Sequence, residues 1–171
     1  MKSYQFKAEV DLLDSALWQY YFEVPQVIAD ELIANNHKRV FCTINNEIEF
    51  QCALMPKGEG KYFININKER RKQLLASQFT ELNIELKPDE SEYGLPMPEE
   101  LQELLYQDPD GDKIFQALTK GKQRTLLHLI GKPKNIETRL KKALIVVEYL
   151  KTVNGKLDFK ELNQAFKNNN Y

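Results

Sequence analysis

The 171-residue chain is poor in several features, and each shortage excludes a class of protein. Its two cysteines, Cys42 and Cys52, are too few for a disulfide framework, so we expect reduced, buried thiols. It has no run of about 18 apolar residues, so no membrane-spanning helix is predicted. Residues 1–20 lack a basic segment followed by an apolar one, so no secretory signal is predicted. Together these absences predict a cytoplasmic protein.

What the chain contains is typical of a folded globular protein. Apolar residues make up 42% and charged residues 29% of the sequence, and the length suffices for a core without metal or disulfides. Such a length fits one domain or two small ones. The net charge of −1 predicts no general attraction to nucleic acid or to a membrane.

The small net charge hides an uneven distribution. Residues 1–97 carry 11 basic and 15 acidic side chains, and residues 98–171 carry 13 and 10. Residues 113–142 hold nine basic side chains and one acidic side chain, Glu137, for a local charge of +8. Such a block is expected of an anion-binding surface, and a solvated helical face can also look like this.

The first 87 residues predict a small β-barrel domain. Apolar and polar residues alternate from Tyr4 to Leu12 and from Trp18 to Val24, which is the period of half-buried strands. A hairpin over 40–54 has matching faces if its loop is Asn45–Glu47. The other predicted elements are a helix over 25–35, a strand over 62–66 with Phe63 on the face opposite Ile64, a short helix capped by Asn67, and a strand over 83–86.

The remainder of the chain predicts helices. A junction over 88–98 contains Pro88, Gly94, Pro96 and Pro98, which break regular structure. A helical domain over 99–171 follows, and the fold class is therefore α+β. The predicted helices span residues 99–106, 112–118, 122–130, 136–152 and 158–167, and a frayed tail over 168–170 ends the domain.

Motifs for catalysis or metal binding are weak. Asp108–Asp112 and Asn154–Glu161 each resemble part of a calcium loop, but both fail its register and also fit helix caps. His128 lies in an apolar helical segment, which predicts a core position. No nucleophile, phosphate loop or metal-ligand spacing is present, so no catalytic residue, cofactor or metal is predicted.

The basic block is the one candidate site. Lys132, Lys134 and Arg139 lie around the predicted start of the longest helix, where free backbone N–H groups attract anions. Glu137 could instead pair with Lys141, which favours a solvated face for part of the block. The complete candidate set is Lys132, Lys134, Arg139, Lys141, Lys142, Lys120, Lys122 and Arg124.

The order of several motifs resembles a bacterial family. Arg39-Val40, Thr43-Ile44-Asn45, Phe50, Leu54-Met-Pro56, Gly58-Glu-Gly60 and Ile66-Asn-Lys68 with Arg70 resemble domain-of-unknown-function 1905. The segment 93–101, with Phe115–Leu118 and Lys134–Lys142, resembles the YdeI/OmpD-associated, or bacteriocin-protection, family. The resemblance covers about residues 4–152. The chain departs from the usual pattern at Asn46, Gln78-Phe79, Pro133 and Lys142.

The resemblance implies a double-split β-barrel, a fold shared with AbrB-like DNA-binding regulators. The acidic balance of the first half argues against their mode of DNA contact. We therefore predict a non-enzymatic stress or bacteriocin-protection protein whose basic helical face binds nucleic acid or another polyanion. Two alternatives stay open: a protein-interaction module with no anion site, and an enzyme with a pocket at the barrel mouth. The sequence also leaves open a homodimer.

Overall fold

The computed structural model describes residues 2–14 and 20–169, and the chain divides after Glu90 into two units. We call Met1–Glu90 the sheet unit and Ser91–Tyr171 the helical unit. Within the described residues, the sheet unit contains eight strands and two helices, and the helical unit contains five helices. The predicted α+β class is confirmed. Trp18 of the predicted second strand and Asn170 of the predicted tail lie outside the described residues.

The first sheet is antiparallel, with the strand order β1-β8-β4-β5. Its strands are β1 (Tyr4–Glu9), β4 (Arg39–Ile44), β5 (Ile48–Ala53) and β8 (Glu81–Pro88). β8 extends two residues beyond the prediction at each end. β8 is a central strand that pairs with β1 on one side and with β4 on the other. Backbone hydrogen bonds to these neighbours hold the residues at both ends of β8, which the apolar pattern alone did not assign to the strand.

The hairpin between β4 and β5 has the predicted loop. Ile44 pairs with Ile48, which leaves Asn45, Asn46 and Glu47 as a three-residue connection. Asn45 and Asn46 have φ values of 53° and 55°, a left-handed backbone that asparagine adopts more readily than most residues. This loop aligns the apolar residues of both strands on one face, as predicted.

The second sheet is also antiparallel, with the order β2-β3-β7-β6. Its strands are β2 (Asp11–Leu12), β3 (Tyr20–Val24), β6 (Met55–Gly58) and β7 (Lys61–Asn65). Phe22 pairs with Ile64 and Glu23 pairs with Phe63, so Phe63 lies on the face opposite Ile64, as predicted. The described strands form two sheets, and no closed barrel is found among them.

Two helices complete the sheet unit, α1 (Gln26–Ala34) and α2 (Lys68–Gln73). Asn67 caps α2 as predicted, because its side chain accepts a hydrogen bond from the Arg70 N–H at 2.8 Å. The core of the unit is formed by residues from the inner faces of both sheets and from the buried side of α1. Its fully buried members include Val10, Phe22, Leu32, Ile64 and Leu86.

The helical unit packs around its own core. Its helices are α3 (Glu99–Gln107), α4 (Pro109–Gln116), α5 (Lys120–Gly131), α6 (Ile136–Thr152) and α7 (Phe159–Asn168). The core includes Leu101, Phe115, Leu127, Val146 and Leu162. The bounds of α6 are those predicted from its apolar spacing.

Two sequence-based expectations about this unit are wrong. α4 begins at Pro109 rather than Asp112, because the Asp108 side chain caps it and proline is tolerated in a first helical turn. His128 is exposed rather than in the core, because the buried side of α5 is formed by Gln123, Leu126, Leu127 and Ile130.

Candidate anion-binding surface

α5 positions part of the basic block. Thr119 caps the helix by accepting a hydrogen bond from the Lys122 N–H at 3.4 Å. With one side of α5 buried, Arg124, His128 and Lys132 fall on the opposite side at four-residue spacing. The Arg124 side chain is half-buried, and the side chains of His128 and Lys132 are exposed. The exposed position of His128 therefore adds to this surface a residue that the sequence pattern had assigned to the core.

The turn before α6 adds Lys134 to the same neighbourhood. Lys134 and Asn135 are both exposed, and the Asn135 side chain caps α6 by accepting a hydrogen bond from the Thr138 N–H at 3.1 Å. The cap uses one of the free N–H groups that were expected to attract an anion. The turn therefore offers an anion the charge of Lys132 and Lys134 together with the N–H groups that the cap leaves unused.

The Arg139 side chain is held by hydrogen bonds within the helical unit. Its Nε and Nη2 donate to Glu100 Oε1 at 2.9 and 2.7 Å, and its Nη1 donates to the carbonyls of Pro133 and Lys134 at 3.2 and 3.0 Å. The Glu100 side chain is only 11% exposed. Hydrogen bonds from Arg139 lower the pKa of Glu100, and the same pair raises the pKa of Arg139. Arg139 therefore fastens the α5–α6 turn and α6 to α3.

Three lysines of the candidate set also have partners within the unit. Lys142 donates to the Leu129 carbonyl at 3.3 Å and lies 5.2 Å from the centre of the Phe166 ring. Lys120 pairs with Glu92 at 3.6 Å. Lys141 pairs with Glu137 at 3.4 Å, as its four-residue spacing predicted. The two salt bridges lower the net charge around Lys120 and Lys141, while the contacts of Lys142 hold its side chain against the helical unit.

Four candidates keep their charge available. Lys122, Arg124, Lys132 and Lys134 make no side-chain hydrogen bond or salt bridge within the described part of the chain. We define the basic stripe as Arg124, His128, Lys132 and Lys134, with Lys122 on its flank. The structure thus divides the eight predicted residues into four that have a partner within the helical unit and four that have none among the described residues.

The two calcium-like sequences meet at one groove. Asp110, Lys113 and Ile114 of α4 face Asn154 and Gly155 across a groove of about 540 Å³. Asp108 and Asp158 are used as helix caps, as the alternative interpretation of both motifs required. Among residues 2–14 and 20–169, no group of three or more metal-ligating side chains occurs.

The two cysteines lie on the inner face of the first sheet. Cys42 pairs with Phe50 and Cys52 pairs with Val40, so the thiols are diagonal neighbours on adjacent strands. Hydrogen bonding to Cys52 and burial raise the pKa of Cys42. Cys42 is fully buried, as expected, while Cys52 is half-buried. A protonated thiol in the core contributes packing rather than nucleophilic chemistry.

The fold is that of an α+β protein with an antiparallel sheet unit followed by a helical unit, and none of its helices within the described residues has the length and apolarity needed to cross a membrane. Comparison with family models adds to this description. Residues 6–86 match the domain of unknown function DUF1905, and residues 95–152 match OmdA, described as bacteriocin-protection, YdeI or OmpD-associated. The chain therefore joins a DUF1905 region to an OmdA region, and the resemblance drawn from its motifs is confirmed. No curated protein matches the chain.

The matched regions place the candidate residues within the second family. All eight basic candidates lie between residues 120 and 142, inside the OmdA match. That match ends at Thr152, where α6 ends, so α7 lies beyond it. Arg139 and its partner Glu100 both fall within the match, which agrees with a structural role for Arg139 in the Lys134–Lys142 segment.

Proposed function

We propose that the chain is a cytoplasmic, non-enzymatic binding protein whose basic stripe holds a polyanion, with nucleic acid as the first partner to test. The observation that carries this proposal is that Arg124, Lys132 and Lys134 are cations without internal partners in the described structure. The bacteriocin-protection description of the OmdA family is compatible with such a role. We also propose that the sheet unit is a double-split β-barrel, because the family resemblance drawn from its motifs implies that fold.

The arrangement of the charges favours an extended ligand. Lys132 follows the end of α5 and lies eight residues after Arg124, about 12 Å along the helix axis, so these charges form a row rather than a ring. A row of cations suits a chain of phosphates, whereas a compact metabolite needs donors that converge on one point. This is why a nucleic acid is proposed before a small phosphorylated compound.

The experiment is a binding series with mixed single- and double-stranded nucleic acid at increasing salt. With three or four phosphate contacts, log K is expected to fall with log salt with a slope of about −3 on duplex. The variant Arg124→Glu/Lys132→Glu/Lys134→Glu should lose binding. Arg139 and Lys142 are left unchanged because their internal contacts would confound the result.

A charge-matched variant completes the design. Lys156→Glu/Lys160→Glu/Lys167→Glu makes the same change in charge at exposed positions of the helical unit outside the stripe. Binding that survives in this variant and fails in the stripe variant would support the proposal. Equal loss in both variants, or no binding at low salt, would contradict it.

An apolar surface favours protein docking as a second candidate function. Ile136, Leu140 and Leu144 follow one another at four-residue spacing on α6 and are 66, 43 and 44% exposed. Exposed apolar side chains in such a row are typical of a helix surface that binds a partner. The variant Leu140→Ser/Leu144→Ser should abolish any concentration-dependent self-association seen by sedimentation. A monomer at all concentrations would leave no support for association of two copies through this surface.

A further inference from the structure

A loop of the sheet unit exposes two large apolar side chains. Between α2 and β8, Leu75 is 89% exposed and Phe79 is 70% exposed. Both have a left-handed backbone, with φ values of 50° and 68°. This conformation is unfavourable for bulky side chains and persists where surrounding contacts hold it, often at functional positions.

The loop is fixed rather than loose. Leu74 and Ala76 are buried on either side of Leu75, and the Ala76 N–H donates to the Arg71 carbonyl at 2.9 Å. The Phe79 N–H donates to the Val10 carbonyl at 2.7 Å. These anchors hold Leu75 and Phe79 outward, so their exposure is a property of the folded unit.

The helix that precedes this loop is basic, although the sheet unit as a whole is not, and Glu9, Asp11 and Glu23 line a groove with Phe79. α2 contains Lys68, Arg70, Arg71 and Lys72 against Glu69, and residues 70–80 contain no acidic side chain. Arg70 and Arg71 lie over the rings of Phe50 and Tyr20, at 3.6 and 3.9 Å from their centres. Lys68 and Lys72 are exposed and make no salt bridge among the described residues.

We propose that α2 and the loop over 74–80 bind the surface of a bilayer that contains anionic lipids. Leu75 and Phe79 insert at the boundary between headgroups and acyl chains, and Lys68 and Lys72 contact lipid phosphates. Protruding apolar side chains beside a basic cluster are the two elements that reversible membrane attachment requires. A nucleic acid would satisfy the lysines but offers no apolar surface for an aliphatic side chain such as Leu75.

This site lies in the sheet unit, whereas the basic stripe lies in the helical unit. It combines apolar insertion with charge, whereas the stripe consists of charge alone. The two proposals therefore make different predictions for neutral and anionic surfaces, and substitutions in one unit test each without altering the residues of the other.

The experiment is flotation of the full chain with vesicles of phosphatidylcholine mixed with phosphatidylglycerol, compared with phosphatidylcholine alone. Binding is expected only with the anionic vesicles. Lys68→Gln/Lys72→Gln should weaken partitioning about 25-fold, because each lysine near an anionic surface contributes about fivefold. Leu75→Gly/Phe79→Gly should weaken it at least about tenfold, since two apolar side chains no longer insert.

The glycine variant is chosen because it preserves the fold. Glycine accepts a positive φ without strain, so the variant should melt no lower than the parent chain. Val27→Ser removes an 80% exposed apolar side chain elsewhere in the sheet unit, and Lys38→Gln removes an exposed lysine there. Both control variants should float like the parent chain.

Three results would overturn the proposal. The first is no flotation with anionic vesicles. The second is flotation that survives both variants of α2 and its loop but fails in Arg124→Glu/Lys132→Glu/Lys134→Glu, which would assign lipid binding to the basic stripe. The third is binding of nucleic acid, with no vesicle binding, that depends on Lys68 and Lys72.

Discussion

The two units differ in which of their charged side chains have partners within the fold. In each unit, the charge that a ligand could reach differs from what the net charge of the segment indicates. Residues 1–97 carry an acidic excess, yet α2 collects four basic side chains in six residues. Residues 113–142 carry a charge of +8, yet Arg139, Lys142, Lys120 and Lys141 have partners within the helical unit. The charge available to a ligand is therefore decided by which acceptors the fold places within reach.

Each unit has its own core, since no buried residue among those described belongs to both clusters. Substitution of a large, fully buried side chain in each unit tests whether the two cores are independent. Phe22→Ala and Phe115→Ala each remove a ring that is fully buried. Each change should lower the free energy of unfolding by about 3–5 kcal/mol through lost packing and a cavity.

The measurement for these variants is hydrogen exchange followed by mass spectrometry, beside denaturant unfolding. Phe22→Ala should first increase exchange in β strands of the sheet unit, and Phe115→Ala should first increase it in the helical unit. A uniform increase across both units in either variant would contradict the separation of the cores.

A second comparison uses two glycines of the helical unit. A Cβ at Gly111 would lie 2.6 Å from Val147 Cγ1 and 3.1 Å from Asp108 Cγ, whereas a Cβ at Gly121 would meet nothing within 4 Å. Gly111→Ala should therefore lower the free energy of unfolding by about 1–3 kcal/mol. Gly121→Ala should leave it unchanged or raise it by about 0.5 kcal/mol. Equal stabilities of the two variants in urea would show that α4 and α6 do not approach as closely as described.

The smallest expected effect concerns the ion pair of Glu100 and Arg139 and depends on pH. Because the pair lowers the pKa of folded Glu100, its contribution to stability is complete above the ordinary glutamate value of about 4.3 and is lost as pH falls through the lower folded value. Glu100→Gln should thus have a lower Tm than the parent chain at neutral pH, and the difference should shrink below about pH 4.

Thermal unfolding across acidic pH checks this prediction, and an exposed pair supplies the control. Glu137→Gln removes the partner of Lys141, and both side chains are more than half exposed. It should change the stability by less than about 0.5 kcal/mol. A difference between Glu100→Gln and the parent chain that stays constant down to pH 3 would contradict an electrostatic role for the Glu100–Arg139 pair.

Much of the local structure could be predicted because it depends on residues that are close in sequence. The period of apolar residues predicted α6. The requirement that paired apolar residues share one face of the hairpin predicted the loop Asn45–Glu47. Capping side chains predicted the starts of α2 and α7. The sequence pattern was less informative at β8, where pairing on both sides lengthened the strand, and at α4, where Pro109 begins the helix.

The candidate site could be predicted only as a segment. A run of basic residues located the block over 113–142, but no local pattern separates Arg139, held by Glu100 from 39 positions away, from the unpartnered Lys132. His128 was assigned to the core because its neighbours in sequence are apolar, yet it points to the exposed side of α5. The basic, apolar combination of Lys68, Lys72, Leu75 and Phe79 was missed because an acidic average concealed it.

By itself the sequence determined the α+β class, the division into strands followed by helices, and the family resemblance, because periodicity, capping and motif order are properties of neighbouring residues. Tertiary structure alone decided the pairing of the strands into two sheets and which charges are neutralised within the fold. It also decided that Leu75 and Phe79 point outward. The physical reason is that burial and ion pairing depend on distances across the fold, which a linear pattern does not contain.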